Sequence, residues 1–488
     1  MNSKLQYFVQ LGIFVLIAFS TNFDYGFSTT YTNTPVDQLK EWLNESFVRR
    51  GENISETKFN IYWNLILNIW FVGFFVGTFT SPLISDRFGR RVSFIWSLAI
   101  LTLTAIARYL SLLFFIPELL FASRIITSII TAIMYMSQIL YLQECSPTHL
   151  RGFNSFLSEI TYAIMTLCGT LLGTPSVLGD HLAILMLIPI PFCVVFLISS
   201  FFLHETPKFL YLIKNDQDAA EKSIRFYHGP TADIKSVLHE INQETLEEDC
   251  GNESGWMLIK EIFTEPYLRK ALLLSCATLQ NCVALWAILF SSTQFLIDAN
   301  LPENVASWSS NAMTLSYAIA TMIGSTMIEK VGRRVLLISF TIANNLSLLS
   351  FVVCAQLQSY VSWLNYGCLV SFVLYGYTYG MAVGPISWFL SSELVPQRHR
   401  SQMQSICYAI NTIMVVISSF SILPLYGKIG SYSFLLLYVG PSVICTSYLY
   451  KCLPETKGRE IHDIVRELKG ESKHIDRKSI NSNSTESE

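Results

Sequence analysis

Two carboxylates stand where water is scarce. Asp24 lies in an apolar run that begins near Tyr7, and Glu159 lies in another that spans 153–177. A carboxylate at membrane depth is costly and is a functional candidate by default. Such a group is suited to carrying a proton. Asp24 also reads as a residue at the outer end of a helix, reached by water. Glu159 reads equally as a polar ligand for a solute or as the ion-pair partner of an arginine such as Arg124.

A second set of charges is repeated. The run Asp86-Arg87-Phe88-Gly89-Arg90-Arg91 returns as Glu329-Lys330-Val331-Gly332-Arg333-Arg334. Glu144, Pro147 and Arg151 keep the spacing of Glu393, Pro396 and Arg400. Glu205-Thr206-Pro207-Lys208 is echoed by Pro454-Glu455-Thr456-Lys457. Arginine forks match carboxylates bidentately. Acids and arginines at helix ends can therefore form ion-pair networks that close in one conformation and open in another. Simple membrane anchoring by positive charge would not require three matched pairs in register.

The elements that carry these charges are apolar blocks. The chain of 488 residues is 51% hydrophobic and only 14% charged. A water-soluble surface needs more charge than that. Blocks long enough to span a bilayer fall at roughly 5–29, 62–84, 92–115, 117–141, 153–177 and 182–203. A polar segment, 204–269, separates them from 270–297, 304–328, 334–357, 361–390, 402–426 and 431–452. This predicts an all-α membrane protein of twelve spans, a helical bundle over 1–203, linker helices over 204–269, a second bundle over 270–452 and a tail over 453–488. The short loops with Arg87, Arg90, Arg91, Arg151, Lys330, Arg333, Arg334, Arg398 and Arg400 alternate with loops poor in Lys and Arg. The positive-inside rule places the first set, and both termini, in the cytoplasm. The long first loop is then external. It holds the sequons Asn44-Glu45-Ser46 and Asn53-Ile54-Ser55, which fit a secretory route to the plasma membrane.

Other classes find no support. The eleven cysteines sit mostly in apolar blocks as small packing residues, with no metal-ligand or disulfide pattern. A net charge of -3 argues against a nucleic-acid partner. Neither a phosphate-binding loop nor a nucleophile–base motif appears, so no enzyme activity, cofactor or metal is expected.

The stretches DRFGRR, ECSPTHLRG, ETPKFL, EKVGRR, GPISWF and LPETKGRE resemble the sugar porter family of the major facilitator superfamily, and most of all the animal facilitative glucose transporters. The loop LNESFVRRGE is similar to that family's glycosylated first loop, which favours Asn44 as the glycan site. The resemblance implies two six-helix bundles that rock about a central site, carrying a hexose or polyol across the lipid bilayer without a cofactor. It assigns substrate contact to Gln280 and Asn281 in the seventh span, Trp388 in the tenth and Asn411 in the eleventh. Amides and indoles supply the donors, acceptors and flat faces that a hydroxylated ring needs. Several positions depart from the family pattern: Glu159, Trp286, Tyr317, Gly380, Thr412 and Pro82. Glu159, Trp286 and Tyr317 are added as candidate contacts. Three alternatives stay open: a proton-coupled symporter using Asp24 or Glu159, a sugar sensor that does not transport, and, given the altered pocket, a carrier of a different small solute.

Overall fold

The computed structural model describes residues 3–51, 54–146, 151–229, 233–246, 255–457, 459 and 461–469, all as helices and connecting turns. The first five spans are Ser3–Thr30, Glu56–Phe88, Arg90–Phe114, Pro117–Cys145 and Arg151–Gly173. The sixth, Leu182–Ser200, is broken before Pro189. The seventh, Pro266–Asp298, is broken at Asn281 and Cys282. Glu303–Val331, Arg333–Leu357, Leu364–Glu393, Gln397–Ile429 and Tyr432–Cys452 complete the set.

Among the described residues, eleven helices are both long and apolar enough to cross a membrane. The expected twelfth is the eighth span. At 29 residues it is long enough, but it is more polar than the others. Ser307, Ser309, Ser310, Asn311 and Thr314 are all buried there. Ser310, Asn311 and Thr314 bond neighbouring helices rather than facing lipid, which is how polar residues are tolerated in a membrane bundle.

The chain forms two six-helix bundles. In the first, span 1 packs on span 5, and span 4 on spans 2 and 3. In the second, span 10 packs on spans 8 and 9, and span 7 on spans 11 and 12. Spans 2 and 11, and spans 5 and 8, join the bundles. Lipid tails are as apolar as leucine, so packing and interhelical hydrogen bonds hold these helices together.

Outside the spans, the first loop contains the helix Val36–Val48. Its Leu39, Trp42, Leu43 and Phe47 are buried, and Trp42 donates to the Leu112 carbonyl at 3.3 Å. The central segment forms helices Gln217–His228, Ile234–Leu246 and Gly255–Thr264. Asp216 caps the first of these by accepting from the Ala219 amide at 2.9 Å. Glu261 ties the third to the start of span 11 through Arg398 at 3.0 Å and His399 at 2.8 Å. The hydrogen bond from His399, with the Arg398 charge beside it, holds the Glu261 carboxyl below its ordinary pKa. A last helix, Ile461–Lys469, follows span 12. Asn53, the acidic residues Glu247, Glu248 and Asp249, and the tail from 470 lie outside the described residues.

Candidate functional site

The repeated motifs build two copies of one local structure. In the first bundle, Gly89 has φ 95° and turns the chain from span 2 into span 3. Only glycine adopts that backbone without strain. Glu205 then accepts from the amides of Arg90 at 3.0 Å and Arg91 at 3.1 Å. A carboxylate therefore caps the exposed N-terminus of span 3, where the helix dipole favours negative charge. Burial pushes the Glu205 carboxyl up from its ordinary pKa, while the amides of Thr206 and Arg91 and the Arg90 charge work in the opposite direction. Arg90 bonds Glu144 at 3.0 Å and Asp86 at 3.4 Å, while Thr206 donates to Glu144 at 2.7 Å. Arg91 reaches back to the Phe201 carbonyl at 2.8 Å.

The second bundle repeats most of these contacts. Gly332 has φ 105°, and Glu455 accepts from the amides of Arg333 at 2.8 Å and Arg334 at 3.1 Å. Thr456 donates to Glu393 at 2.7 Å, Arg334 to the Tyr450 carbonyl at 2.7 Å, and Arg333 lies 3.8 Å from Glu393. Arg400 adds its charge beside Glu393. Arg87 is exposed and lies over its neighbour Phe88. The side chains of Arg151 and Glu329 fall outside the described residues. The pairs Arg90–Glu144 and Arg333–Glu393 thus each join spans of one bundle, so they shape one face of their own half. The contacts between halves on that face are different: Gln143 donates to Ser392 at 2.9 Å, Ser405 to the Thr78 carbonyl at 2.8 Å, and Ser401 to Asp86 at 3.4 Å.

The opposite side is bridged as well. Asn33 donates to Ser292 at 3.0 Å and Asn311 to Thr174 at 2.8 Å, and the hydroxyls of Thr170 and Thr314 lie 3.1 Å apart. Polar contacts therefore cross between the bundles on both sides of the centre, giving an occluded arrangement.

Between these layers lie two narrow cavities of about 10 Å³ each, with Trp388 in the wall of both. One also meets Tyr135, Ser158 and Glu159, and the other Trp70, Trp286, Asn411 and Thr412. Aromatic rings from both bundles close the space. Tyr25 stacks on Trp286 at 6.3 Å, and Tyr135 meets Trp388 edge-on at 6.1 Å. Tyr408 packs edge-on against Trp388 at 5.0 Å. Its hydroxyl donates to the Trp388 carbonyl at 2.5 Å.

Of the candidate contacts, Trp388, Asn411, Trp286 and Glu159 come together here. Asn411 Oδ1 is buried without a hydrogen-bond partner. Gln280 is half-buried at the break in span 7 and lines neither cavity. Asn281 is turned toward the last span, its Oδ1 accepting from Ser442 at 2.7 Å. Tyr317 reaches the centre through a hydrogen bond to Glu159. A Cβ at Gly380 would lie 2.6 Å from the Tyr317 carbonyl oxygen, so no larger side chain fits there.

The two membrane acids find partners that the sequence did not name. Glu159 pairs across the bundles with the Tyr317 hydroxyl, and no ion pair with Arg124 forms. Arg124 instead donates to the Tyr31 hydroxyl at 2.7 Å. Asp24 is not a water-reached helix end: it is 2% exposed and forms a buried ion pair with Arg108, whose other arm donates to Ser28. Tyr25, Trp70, Tyr135 and Tyr408 were also missed, because aromatic residues in an apolar span look like packing until a cavity is seen beside them.

Residues 14–468 match the family described as Sugar (and other) transporter. The chain belongs to the sugar transporter family. Relatives in sequence include the mouse "Solute carrier family 2, facilitated glucose transporter member 7", 24% identical over 92% of this chain and 87% of its own. Member 5 from the rat is 25% identical, over 94% and 92%. Among solved structures, the proton:xylose symporter XylE with a bromodeoxyglucose has TM-score 0.77 at 20% identity, covering 95% of this chain and 99% of its own. The inward-open xylose transporter XylE from E. coli has TM-score 0.70, also at 20% identity, over 93% and 99%. These sugar transporter structures share the two-bundle fold described above.

Proposed function

We propose that this protein carries a hexose or related polyol down its gradient by alternating access. The observation that carries the reading is the convergence of Trp388, Trp286 and Asn411 on the centre, between polar contacts that close both sides. An indole face and an unpartnered amide oxygen are what a hydroxylated ring needs. The names of the relatives support the same substrate class. Asp86, Arg90, Glu144, Glu205, Arg333, Glu393 and Glu455 form the matched cytoplasmic surfaces that move as the halves rock, with Arg87, Arg91, Arg151, Glu329, Arg334 and Arg400 at their edges. Transport needs no cofactor in this reading. The units are 1–203, 204–269, 270–452 and 453–488, with both termini cytoplasmic and the protein in the plasma membrane.

Proteoliposomes loaded with buffer test it. Labelled hexose is expected to equilibrate, and a protonophore is expected to leave the final level unchanged. The Glu159–Tyr317 bond between the halves favours one rival, proton-coupled transport. Accumulation above equilibrium that collapses with the protonophore, and is lost in Glu159→Gln, would establish that rival instead.

Asn44 is exposed on the helix Val36–Val48, which the proposed topology places outside. It is assigned as the glycan site. Asn44→Gln expressed in a secretory host is expected to run at the mobility of enzymatically deglycosylated protein. A variant that still loses mass on deglycosylation would move the glycan elsewhere.

A further inference from the structure

Arg124 is a cation buried in the membrane without a counter-charge. It is 1% exposed. One arm, Nη1, is held by the Tyr31 hydroxyl, and the guanidinium carbon lies 5.9 Å from the Trp70 ring. Nε and Nη2 are both buried and have no hydrogen-bond partner. These two nitrogens form one edge of the guanidinium, the edge that grips a carboxylate with two parallel bonds. The other deep arginine of this bundle is already neutralised, since Arg108 pairs with Asp24. Glu159 is engaged by Tyr317. No carboxylate faces Arg124 among the described residues. An uncompensated buried charge of this kind is strongly unfavourable.

Its helix face leads to the central cavity. Span 4 carries Arg124, Thr131, Tyr135 and Leu142 at offsets of 7, 11 and 18 residues from the arginine. With about 3.6 residues per turn, these are near-whole turns, so the four share one face. Tyr135 and Leu142 of that face line the central cavity. Thr131 Oγ1 is buried and unpartnered, as is Trp70 Nε1, and Trp70 lines the second cavity. The face that meets the centre therefore continues outward to an anchored guanidinium with one whole edge free.

We infer that Arg124, oriented by Tyr31 and flanked by Trp70, is an outer subsite for the carboxylate of a hydroxylated acid, so that sugar acids are ligands of this carrier. This rests on the sugar-carrier reading for the hydroxylated part of the ligand, and on Arg124 alone for its charge.

The test compares D-glucuronate, D-glucose and acetate on the full-length protein, wild type, Arg124→Gln and Arg124→Lys. Affinity is read as inhibition of labelled hexose uptake in proteoliposomes and as stabilisation of the purified protein against heat. In wild type, glucuronate is expected to bind more tightly than glucose. The glucuronate-to-glucose affinity ratio is expected to fall about tenfold in Arg124→Gln, the size of a charge-assisted pair, and to be partly restored in Arg124→Lys. A ratio unchanged in Arg124→Gln, or wild type that ignores glucuronate, overturns the proposal. Acetate acting as strongly as glucuronate overturns the assignment to a sugar acid. Should wild type carry no neutral hexose, the hexose reading fails on its own, and the heat-stabilisation arm still decides Arg124. Should Arg124→Gln not fold, wild type and Arg124→Lys carry the comparison, and equal glucuronate-to-glucose ratios in those two would overturn the proposal, because a compact ammonium cannot replace a two-bond edge.

Discussion

Arg90→Ala protein is expected to unfold at a lower temperature than wild type, by the equivalent of about 3 kcal/mol, and to lose most of its uptake. The figure is at the low end for breaking a buried pair, because Glu144 keeps its bond from Thr206 at 2.7 Å. What remains is a carboxylate with only 4% of its side chain exposed that has lost its Arg90 partner. The matched change in the other bundle, Arg333→Ala, is expected to cost less. That arginine stands 3.8 Å from Glu393, whose side chain is 27% exposed. Water and distance both weaken the pair. Replacing Glu144 by Gln in the Arg90→Ala background should restore part of the loss, since the stranded charge is then gone. Thermal unfolding in detergent, run beside uptake, checks all three. Equal losses in the two bundles would mean that burial does not set the strength of these pairs.

Asn411→Ala is expected to weaken substrate affinity about tenfold, the scale of one hydrogen bond left unmade in a dry site. Its amide oxygen is buried, unpartnered and beside the Trp388 cavity. Asn281→Ala is expected to act through the fold. It removes the bond from Ser442 that ties the break in span 7 to span 12, so its first readout is a lower unfolding temperature. Competition by unlabelled sugar against labelled uptake separates affinity from stability. Uptake that responds to neither Asn411→Ala nor Gln280→Ala would place the binding site away from the Trp388 cavity.

The parts of the molecule legible in the sequence are those fixed by local rules. Twelve spans followed from the length of apolar blocks. The eighth was visible as a block although its buried Ser and Asn residues make it the least apolar. The paired motifs were legible because a left-handed turn demands glycine and the adjacent helix start accepts an acid, at Gly89 with Glu205 as at Gly332 with Glu455. The partners of the membrane acids were not legible. Asp24 meets Arg108 from 84 residues away, and Glu159 meets Tyr317 from 158. Nothing in either local stretch encodes which distant helix arrives beside it. The amide pair Gln280-Asn281 shows the same limit: adjacency in sequence places two side chains on different faces of a helix, and here one of them serves the packing.

Span 10 changes its winding at Tyr379–Val383, where one wider turn precedes Gly384 and Pro385. Span 12 does the same at Leu435–Val439, before Gly440 and Pro441. Widened turns recur at working sites, and proline removes a rung of the helical ladder. In mechanical terms these spans are not stiff rods but jointed levers, with the compliant element set just before a proline. The arm of span 10 after the joint, Gly384–Glu393, carries Trp388 at one place and Glu393 at its end. A tilt about the joint would therefore displace the indole at the centre and the carboxylate at the helix end in one stroke, while the other arm stays seated. Stiffening that joint should slow the stroke without touching either end of the lever.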